Sequence, residues 1–480
     1  MPTLAEKAKD LAARTERNSA WRQKDCFNLI PSEATPSLLV KMCEIADPSG
    51  RYAEHRSMKG EEVYFYQGTD FVRDVEVECQ KELAAYFGCT DVELRPISGQ
   101  MANEVVFKGM VKFANRGRAE GTPARRLSLV LNNELIYGGH LSAQPMGALF
   151  NFVEEDPATG KEQVVNFPVR KDNPYKADLD ALAAILESHK PQLVIFGKSM
   201  FLYREPVQFV ADAVRGWKDR PVLMYDMAHV LGLYGAFQAP FAEGADVVTG
   251  STHKTFFGTQ RGVVAGNIPK GSPIRPLWVE IKGRAFPGST SNHHLGTLLG
   301  LLMASYEMNA FKEPFQKQVR ANAKALAKAL HDHGVPVEGD PADGYTETHQ
   351  VVIRVKPFGP GMEIARRLET NNVLTNYQAL PDDATFLESS GIRLGVQEMT
   401  RFGMVEKDFD ALAGLMADII IRGKAAGPEV AKYRKNFLKM GFTLPPAEAL
   451  PLAAGILASV IPDPGYAAAF VENLRRAAGA

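Results

Sequence analysis

The stretch PVLMYDMAHVLGLYGAFQAPFAEGADVVTGSTHKTFFGTQRG (221–262) decides the reading of this chain. Two short apolar runs, PVLMYD (221–226) and ADVVTGS (245–251), each end in a polar residue and carry no polar alternation. Such runs predict strands buried on both faces. Working outward, LSLVL (127–131) and QLVIFG (192–197) read the same way, and ADLDALAAILESH (177–189) and PVQFVADAVRGWK (206–218) have helical spacing between them. Buried strands alternating with helices predict an α/β fold with a mainly parallel sheet covered on both sides.

The flanks organise around that centre. Leu4 to Lys24 predicts a polar amphipathic helix, and an irregular stretch runs on to Gly68. Asp70 to Phe87 has helical spacing, with Gly88 where a C-cap belongs. Leu295 to His333 reads as almost wholly helical. HQVVIRV (349–355), MEIARRLETNN (362–372), GIRLGV (391–396) and a helix from Lys407 to Arg422 predict a smaller α+β unit. The expected division is an N-terminal arm (1–68), a large domain (69–305), a small domain (306–425) and a helical extension (426–480) broken by prolines such as those of LPPAEALP (444–451). GPEVAKYRKN (427–436) reads as a solvated helix face.

Composition removes several classes of function. The 480 residues are 45% hydrophobic and 23% charged, with a net charge of −1. That balance gives no electrostatic attraction for nucleic acid or anionic membranes. No apolar run reaches the ~18 residues of a membrane span, and the alternating charge and alanine of residues 1–22 lack the apolar core of a secretory signal. The four cysteines, Cys26, Cys43, Cys79 and Cys89, are scattered, as expected of reduced thiols in a cytoplasmic protein.

Four local patterns carry chemistry. In ADVVTGSTHKTFFGTQRG (245–262), Lys254 follows a strand among small side chains and precedes a glycine-containing turn. Partial desolvation there lowers a lysine pKa and makes the amine a nucleophile for a carbonyl. In VLMYDMAHV (222–230), Asp226 ends a buried strand, where a carboxylate needs a cationic partner, and His229 follows three residues later. In RPISGQMANEVVFKG (95–109), Ser98, Gly99 and Gln100 precede a helix, whose free N–H groups suit a phosphate. In ELIYGGHLS (134–142), His140 stands at a strand end, where its flat ring can stack. Each alone is equally a cap, an ion pair or a structural histidine. Together they supply the separate needs of one cofactor: an amine, a carboxylate for a pyridinium, a phosphate cradle and a stacking ring.

These motifs, with NLIPSEA (28–34), RYAEH (51–55), AFPGS (285–289) and GIRLGVQEMTRFG (391–403), resemble the serine hydroxymethyltransferases, in the family's order over about residues 25–420. The resemblance implies the aspartate-aminotransferase-like fold of pyridoxal-phosphate enzymes, with a seven-stranded, mainly parallel sheet. It implies reversible Cα–Cβ cleavage of serine to glycine, with tetrahydrofolate as a possible co-substrate, in a homodimer or tetramer with shared active sites. It further implies that Lys254 forms the Schiff base, Asp226 pairs with the pyridine nitrogen and His140 stacks on the ring. His229 and Ser199 would lie near the ring hydroxyl. Ser98, Gly99, Gln100 and the turn Gly250, Ser251, Thr252 and His253 would surround the phosphate. Tyr52, Gly288 and Ser289 would come from the partner subunit. Arg393, helped by Ser32, would hold the substrate carboxylate, with Glu54 and Tyr66 on the β-carbon side.

Three departures bear on the acceptor. The turn Gly258-Thr259-Gln260-Arg261-Gly262 is one residue longer before its arginine than the family pattern. The segment HRSMKGEEVYFYQG (55–68) replaces a shorter Gly-Pro loop, with Phe65 and Gln67 for a Tyr and a Gly, and Tyr137 stands where a histidine is usual. The turn, THQV (348–351) and the long C-terminal tail are similar to the related threonine transaldolases, which move the glycyl unit of threonine to another aldehyde. That activity is the alternative expectation.

Overall fold

The computed structural model describes residues 1–478 apart from 60, 120, 386 and 387. Its centre is a seven-stranded sheet in the order Asp91–Glu93, Phe257–Gly266, Val247–His253, Val222–Asp226, Leu193–Phe196, Val130–Asn132, Val164–Asn166. All neighbours from Val247–His253 outward to Val164–Asn166 pair in parallel, while Phe257–Gly266 runs antiparallel to both its neighbours.

Strand alternation explains the three layers. Leu193, Ile195, Val222, Met224, Val247 and Val264 pack on one side with the helices Gly99–Ala114 and Arg275–Ala285. Val194, Phe196, Leu223, Tyr225, Val248 and Val263 pack on the other with Asp70–Phe87, Val207–Val214 and Leu295–Asp332. Because both faces are covered, the strands read as continuous apolar runs.

The sequence expectation of a turn after Lys254 is corrected. Residues 257–266 form a strand whose register shifts between Phe257 and Gly262. Gly262 serves packing rather than turning: a Cβ there would meet the Ser98 carbonyl oxygen at 2.1 Å. Of LSLVL, only Val130 and Leu131 enter the sheet, while Leu127 makes an isolated bridge to Val153. Gly88 caps its helix in the left-handed region at φ 63°, as expected.

The smaller unit has a three-stranded antiparallel sheet, Gln350–Arg354, Gly391–Gly395, Asn376–Gln378, with helices Gly361–Thr370 and Asp408–Arg422. Phe27–Asn28 pairs in parallel with Val373–Leu374, tying the N-terminal arm to this unit. The 305/306 division falls inside the 38-residue helix Leu295–Asp332, so one rigid rod serves both units. The helix Gly427–Arg434 is not wholly solvated: Val430 and Arg434 are buried, and Arg434 donates to the carbonyls of Cys26 and Gln23. Among the described residues, no helix is long and apolar enough to cross a membrane.

Candidate active site

The polar ends of the parallel strands converge at their C-terminal edge, where open α/β sheets bind ligands. Asp226 ends one strand, Lys254 follows the next, and Ser199 and His140 lie on the loops after two others.

Lys254 is 9% exposed, and its Nζ lies 3.2 Å from His229 Nε2. Burial lowers its pKa from 10.5 to about 8, against the pull of Asp226 and with the push of Arg393. His229 is held well below its ordinary value, first by burial and then by the Lys254 charge, so it is neutral at pH 7. Its Nδ1 is buried with no hydrogen-bond partner among the described residues.

Burial alone would raise the Asp226 pKa, but the surrounding donors win and lower it to about 2. His140 Nδ1 reaches its Oδ2, Asn103 Nδ2 donates to Oδ2 at 2.7 Å, Ser142 Oγ donates at 3.3 Å, and the Ala228 N–H donates to Oδ1 at 3.0 Å. The carboxylate is therefore ionised in a dry site. The His140 and His229 rings stand edge to face, with centroids 5.5 Å apart.

Opposite, Ser98 caps the helix Gly99–Ala114 by accepting from the Met101 N–H at 3.1 Å. A Cβ on Gly99 would meet Ser251 Oγ at 2.2 Å, so glycine lets the helix N-terminus approach the strand with the Ser251 hydroxyl turned toward it. Gln100 is exposed. Thr252 departs from its expected place at the phosphate. Its side chain is fully buried and its hydroxyl is committed to the carbonyls of Thr259 (2.7 Å) and Arg261 (3.1 Å). Alternation explains this, since Thr249 and Ser251 face the Gly99–Ala114 helix and Thr252 points the other way. His253, lowered to about 4 mainly by burial, lines a cavity with Ser32.

Arg393 is buried on the Gly391–Gly395 strand, opposite Val352 and Asn376. It donates to the Ser199 carbonyl and, at 3.5 Å, to Asn376 Oδ1. Burial lowers its pKa to about 10, and among the described residues no carboxylate pairs with it. A buried guanidinium in that state is matched to an incoming anion. Ser199 Oγ lies 3.4 Å from the carbonyls of Gly138 and Gly139.

Tyr52, Glu54 and Tyr66 form a separate group. Tyr52 and Tyr66 are 52% and 42% exposed with ring centroids 5.2 Å apart, and Glu54 bonds to Tyr66, whose pKa is raised by desolvation and then by Glu54. Among the described residues, no hydrogen bond or ring contact joins this group to Lys254 or Asp226. Gly288 and Ser289 lie with Lys108, whose Nζ is 3.0 Å from Ser289 Oγ.

The sequence motifs single out neither Asn103 nor His349 for the chemistry. Asn103 was legible as the polar residue on the otherwise apolar face of Ala102, Val105 and Val106. His349 is fully buried, binds the Pro31 carbonyl at 3.1 Å and is lowered to about 3, chiefly by burial. Nothing in its local sequence marks it.

These residues fit a flat cationic ring with an anionic tail: an ionised carboxylate, an amine with lowered pKa, an orphaned imidazole nitrogen and a glycine-opened helix N-terminus. Fold and site together define a pyridoxal-phosphate-dependent enzyme of the aspartate-aminotransferase-like class. The serine hydroxymethyltransferase family profile matches residues 4–416. The serine hydroxymethyltransferase of Staphylothermus marinus is 37% identical over 443 residues, 90% of this chain and 92% of the relative. That of Archaeoglobus fulgidus is 36% identical over 432 residues, 87% and 90% of the two chains. The crystal structure of L-threonine transaldolase from Pseudomonas fluorescens superposes with a TM-score of 0.78 at 24% identity, covering 94% of this chain and 98% of that one, a likeness of fold. The chain belongs to the serine hydroxymethyltransferase family.

Proposed function

We propose that this enzyme cleaves and forms the Cα–Cβ bond of serine, releasing glycine and passing the one-carbon unit to tetrahydrofolate. The observation that carries the reading is the buried pair of Lys254, with its pKa lowered to about 8, and ionised Asp226, near a guanidinium that no carboxylate among the described residues pairs with. Pyridoxal phosphate, when bound, supplies an electron sink that stabilises the carbanion left at Cα.

The chain's residues do the rest. Lys254 holds the cofactor through its amine, and Asp226 keeps a proton on the pyridine nitrogen, a role that requires its carboxylate to stay ionised. His140 covers the ring. Neutral His229 and Ser199 stand at the ring hydroxyl. Ser98, Gly99, Gln100, Ser251 and His253 gather round the phosphate, with Thr252 supporting the strand from behind. Arg393, helped by Ser32, clamps the substrate carboxylate and so sets which bond stands perpendicular to the ring. Glu54, with Tyr66, exchanges a proton with the β-hydroxyl. Tyr52, Gly288 and Ser289 complete the neighbouring site in a homodimer. That arrangement is supported by Tyr52 contacting Tyr66 and Gly288 and Ser289 contacting Lys108, with no hydrogen bond or ring contact to Lys254 among the described residues. Four unpaired cysteines support a reducing, cytoplasmic setting. The proposed units are an arm (1–68), a large cofactor-binding domain (69–305), a small C-terminal domain (306–425) and a helical extension (426–480), with the helix Leu295–Asp332 shared across 305/306.

Transfer of the glycyl unit from threonine to another aldehyde is the second reading. It is favoured by the hairpin of His55–Met58 and Glu61–Tyr64, which stands where the family has a short loop on the acceptor side. Serine and threonine turnover, each measured with and without tetrahydrofolate or an acceptor aldehyde, separates the two. Serine cleavage that ignores folate, with acetaldehyde release from threonine, overturns the first reading.

A further inference from the structure

Away from Lys254, three buried side chains meet: the ligating atoms of His55, Glu76 and His293 lie within 4.8 Å of one another. Two histidines and a carboxylate suit a divalent cation, but the tautomers decide against one. Arg261 can only donate, and its guanidinium lies 3.0 Å from His293 Nδ1. Nδ1 therefore accepts, and the His293 proton sits on Nε2, which faces Glu76 Oε1 at 2.7 Å. The His55 ring lies between two carboxylates, Nδ1 at 3.1 Å from Glu62 Oε2 and Nε2 at 3.0 Å from Glu76 Oε2. Carboxylates on both sides favour protons on both its nitrogens, although only the Nδ1–Glu62 contact has hydrogen-bond geometry. Tyr64 adds a donor to Glu76 at 2.6 Å and stacks on the His55 ring at 4.4 Å.

This cluster grips one short segment. Asn292, beside His293, donates to the Arg51 carbonyl at 2.6 Å and accepts from the Ala53 N–H at 3.2 Å. The Phe65 N–H donates to the Glu54 carbonyl at 3.0 Å. The backbone of residues 51–55 is thus pinned at 51, 53, 54 and 55, while the side chains of Tyr52 and Glu54 remain outward.

We propose that Asn292, His293, Glu76 and His55 form a clamp that positions the Tyr52, Glu54 and Tyr66 arm, with His55 a positioning residue for the Glu54 carboxylate. The inference rests on the role given to Glu54 above. The clamp is proton-dependent. Burial disfavours the His55 charge, but Glu62 and Glu76 outweigh it and raise the pKa from 6.5 to about 9. The other charges around it are Arg95, which donates to the His55 carbonyl at 3.3 Å and pairs with Glu93, then Lys282 on Glu62, and Arg261 behind His293. A raised pKa means the clamp is fully formed below pH 6.5 and loosens as pH climbs through about 9.

The test uses holoenzyme with serine between about pH 7 and 10, comparing wild type, His55→Gln and Asn292→Ala, each also in a Glu54→Gln background. Each single variant is expected to lose about tenfold in kcat with little change in KM and an unchanged cofactor absorbance band, since a small misplacement slows chemistry. The alkaline decline of wild type should vanish in His55→Gln. In the Glu54→Gln background neither change should cost more, because both act through one group. Unchanged kcat in the single variants, or losses that multiply with Glu54→Gln, overturns the clamp. So does a stoichiometric divalent metal whose chelation lowers activity. If wild type leaves serine untouched, the proposed reaction fails separately. Hydrogen exchange at residues 51–55 then decides the clamp: faster exchange in His55→Gln supports it and equal exchange overturns it.

Discussion

Lys254 Nζ lies 3.2 Å from His229 Nε2, an amine against an imidazole with no carboxylate between them. Both groups are pushed toward their neutral forms, so the lysine is prepared as a nucleophile before any cofactor arrives. Cofactor capture by the apoprotein should therefore accelerate as pH rises through about 8 rather than 10.5. The sign follows from the unprotonated amine being the reactive form. Rapid mixing with pyridoxal phosphate across that range reads it, and a rate still climbing steeply above pH 10 would contradict it.

Replacing Lys254 by Ala should remove the borohydride-sensitive absorbance band of the purified enzyme. Loss of an essential nucleophile should lower serine turnover by about 10³-fold or more. A Lys254→Ala variant with a yellow band that borohydride still bleaches, leaving the reduced cofactor bound through dialysis, would move the attachment point elsewhere.

Asp226→Asn keeps the shape but loses the charge, leaving the His140 ring without the carboxylate it contacts. Turnover should fall by roughly 10²- to 10⁴-fold, as for other groups that hold a proton in the transition state, while the cofactor still attaches to Lys254. Absorbance and single-turnover kinetics distinguish this from loss of binding.

Arg393→Lys preserves charge but not the planar fork, so KM for serine should rise by about tenfold or more. Because the clamp also selects the bond to be broken, the share of side products such as keto acid should increase. Product analysis by chromatography checks this. Equal affinity in Arg393→Lys would remove Arg393 from carboxylate binding.

Gly99→Ala places a Cβ 2.2 Å from Ser251 Oγ at the helix N-terminus. The Ser251 hydroxyl must turn away, since its Cβ and Cα stay at 3.4 and 3.6 Å, costing about 1 kcal/mol of packing and disturbing the cradle. Cofactor affinity should drop more than thermal stability of the apoprotein, measured by equilibrium dialysis and calorimetry respectively.

Strand type and the polar terminus of each strand are local properties, and that is why so much was legible early. PVLMYD and ADVVTGS announced two buried parallel strands, and their polar ends placed Asp226 and Lys254 at one edge of a sheet. The strand after Lys254 was hidden because Gly258 and Gly262 imitate a turn. These glycines answer instead to close packing, Gly258 on the Thr252 carbonyl of the neighbouring strand and Gly262 on the Ser98 carbonyl, which is distant in sequence.

The sequence by itself determined the chemistry available: which residues can be amine, carboxylate, stacking ring and guanidinium, and the periodicity that makes an α/β sheet. Tertiary structure decided which of them are dry, charged and adjacent. Asp226 stays ionised only because Asn103, His140 and Ser142 arrive from other segments. Among the described residues no carboxylate pairs with Arg393, because the strand it sits on turns it inward. Thr252 is withdrawn from the site by strand alternation. Desolvation and hydrogen-bond geometry depend on atoms brought together by folding, and no local pattern encodes them.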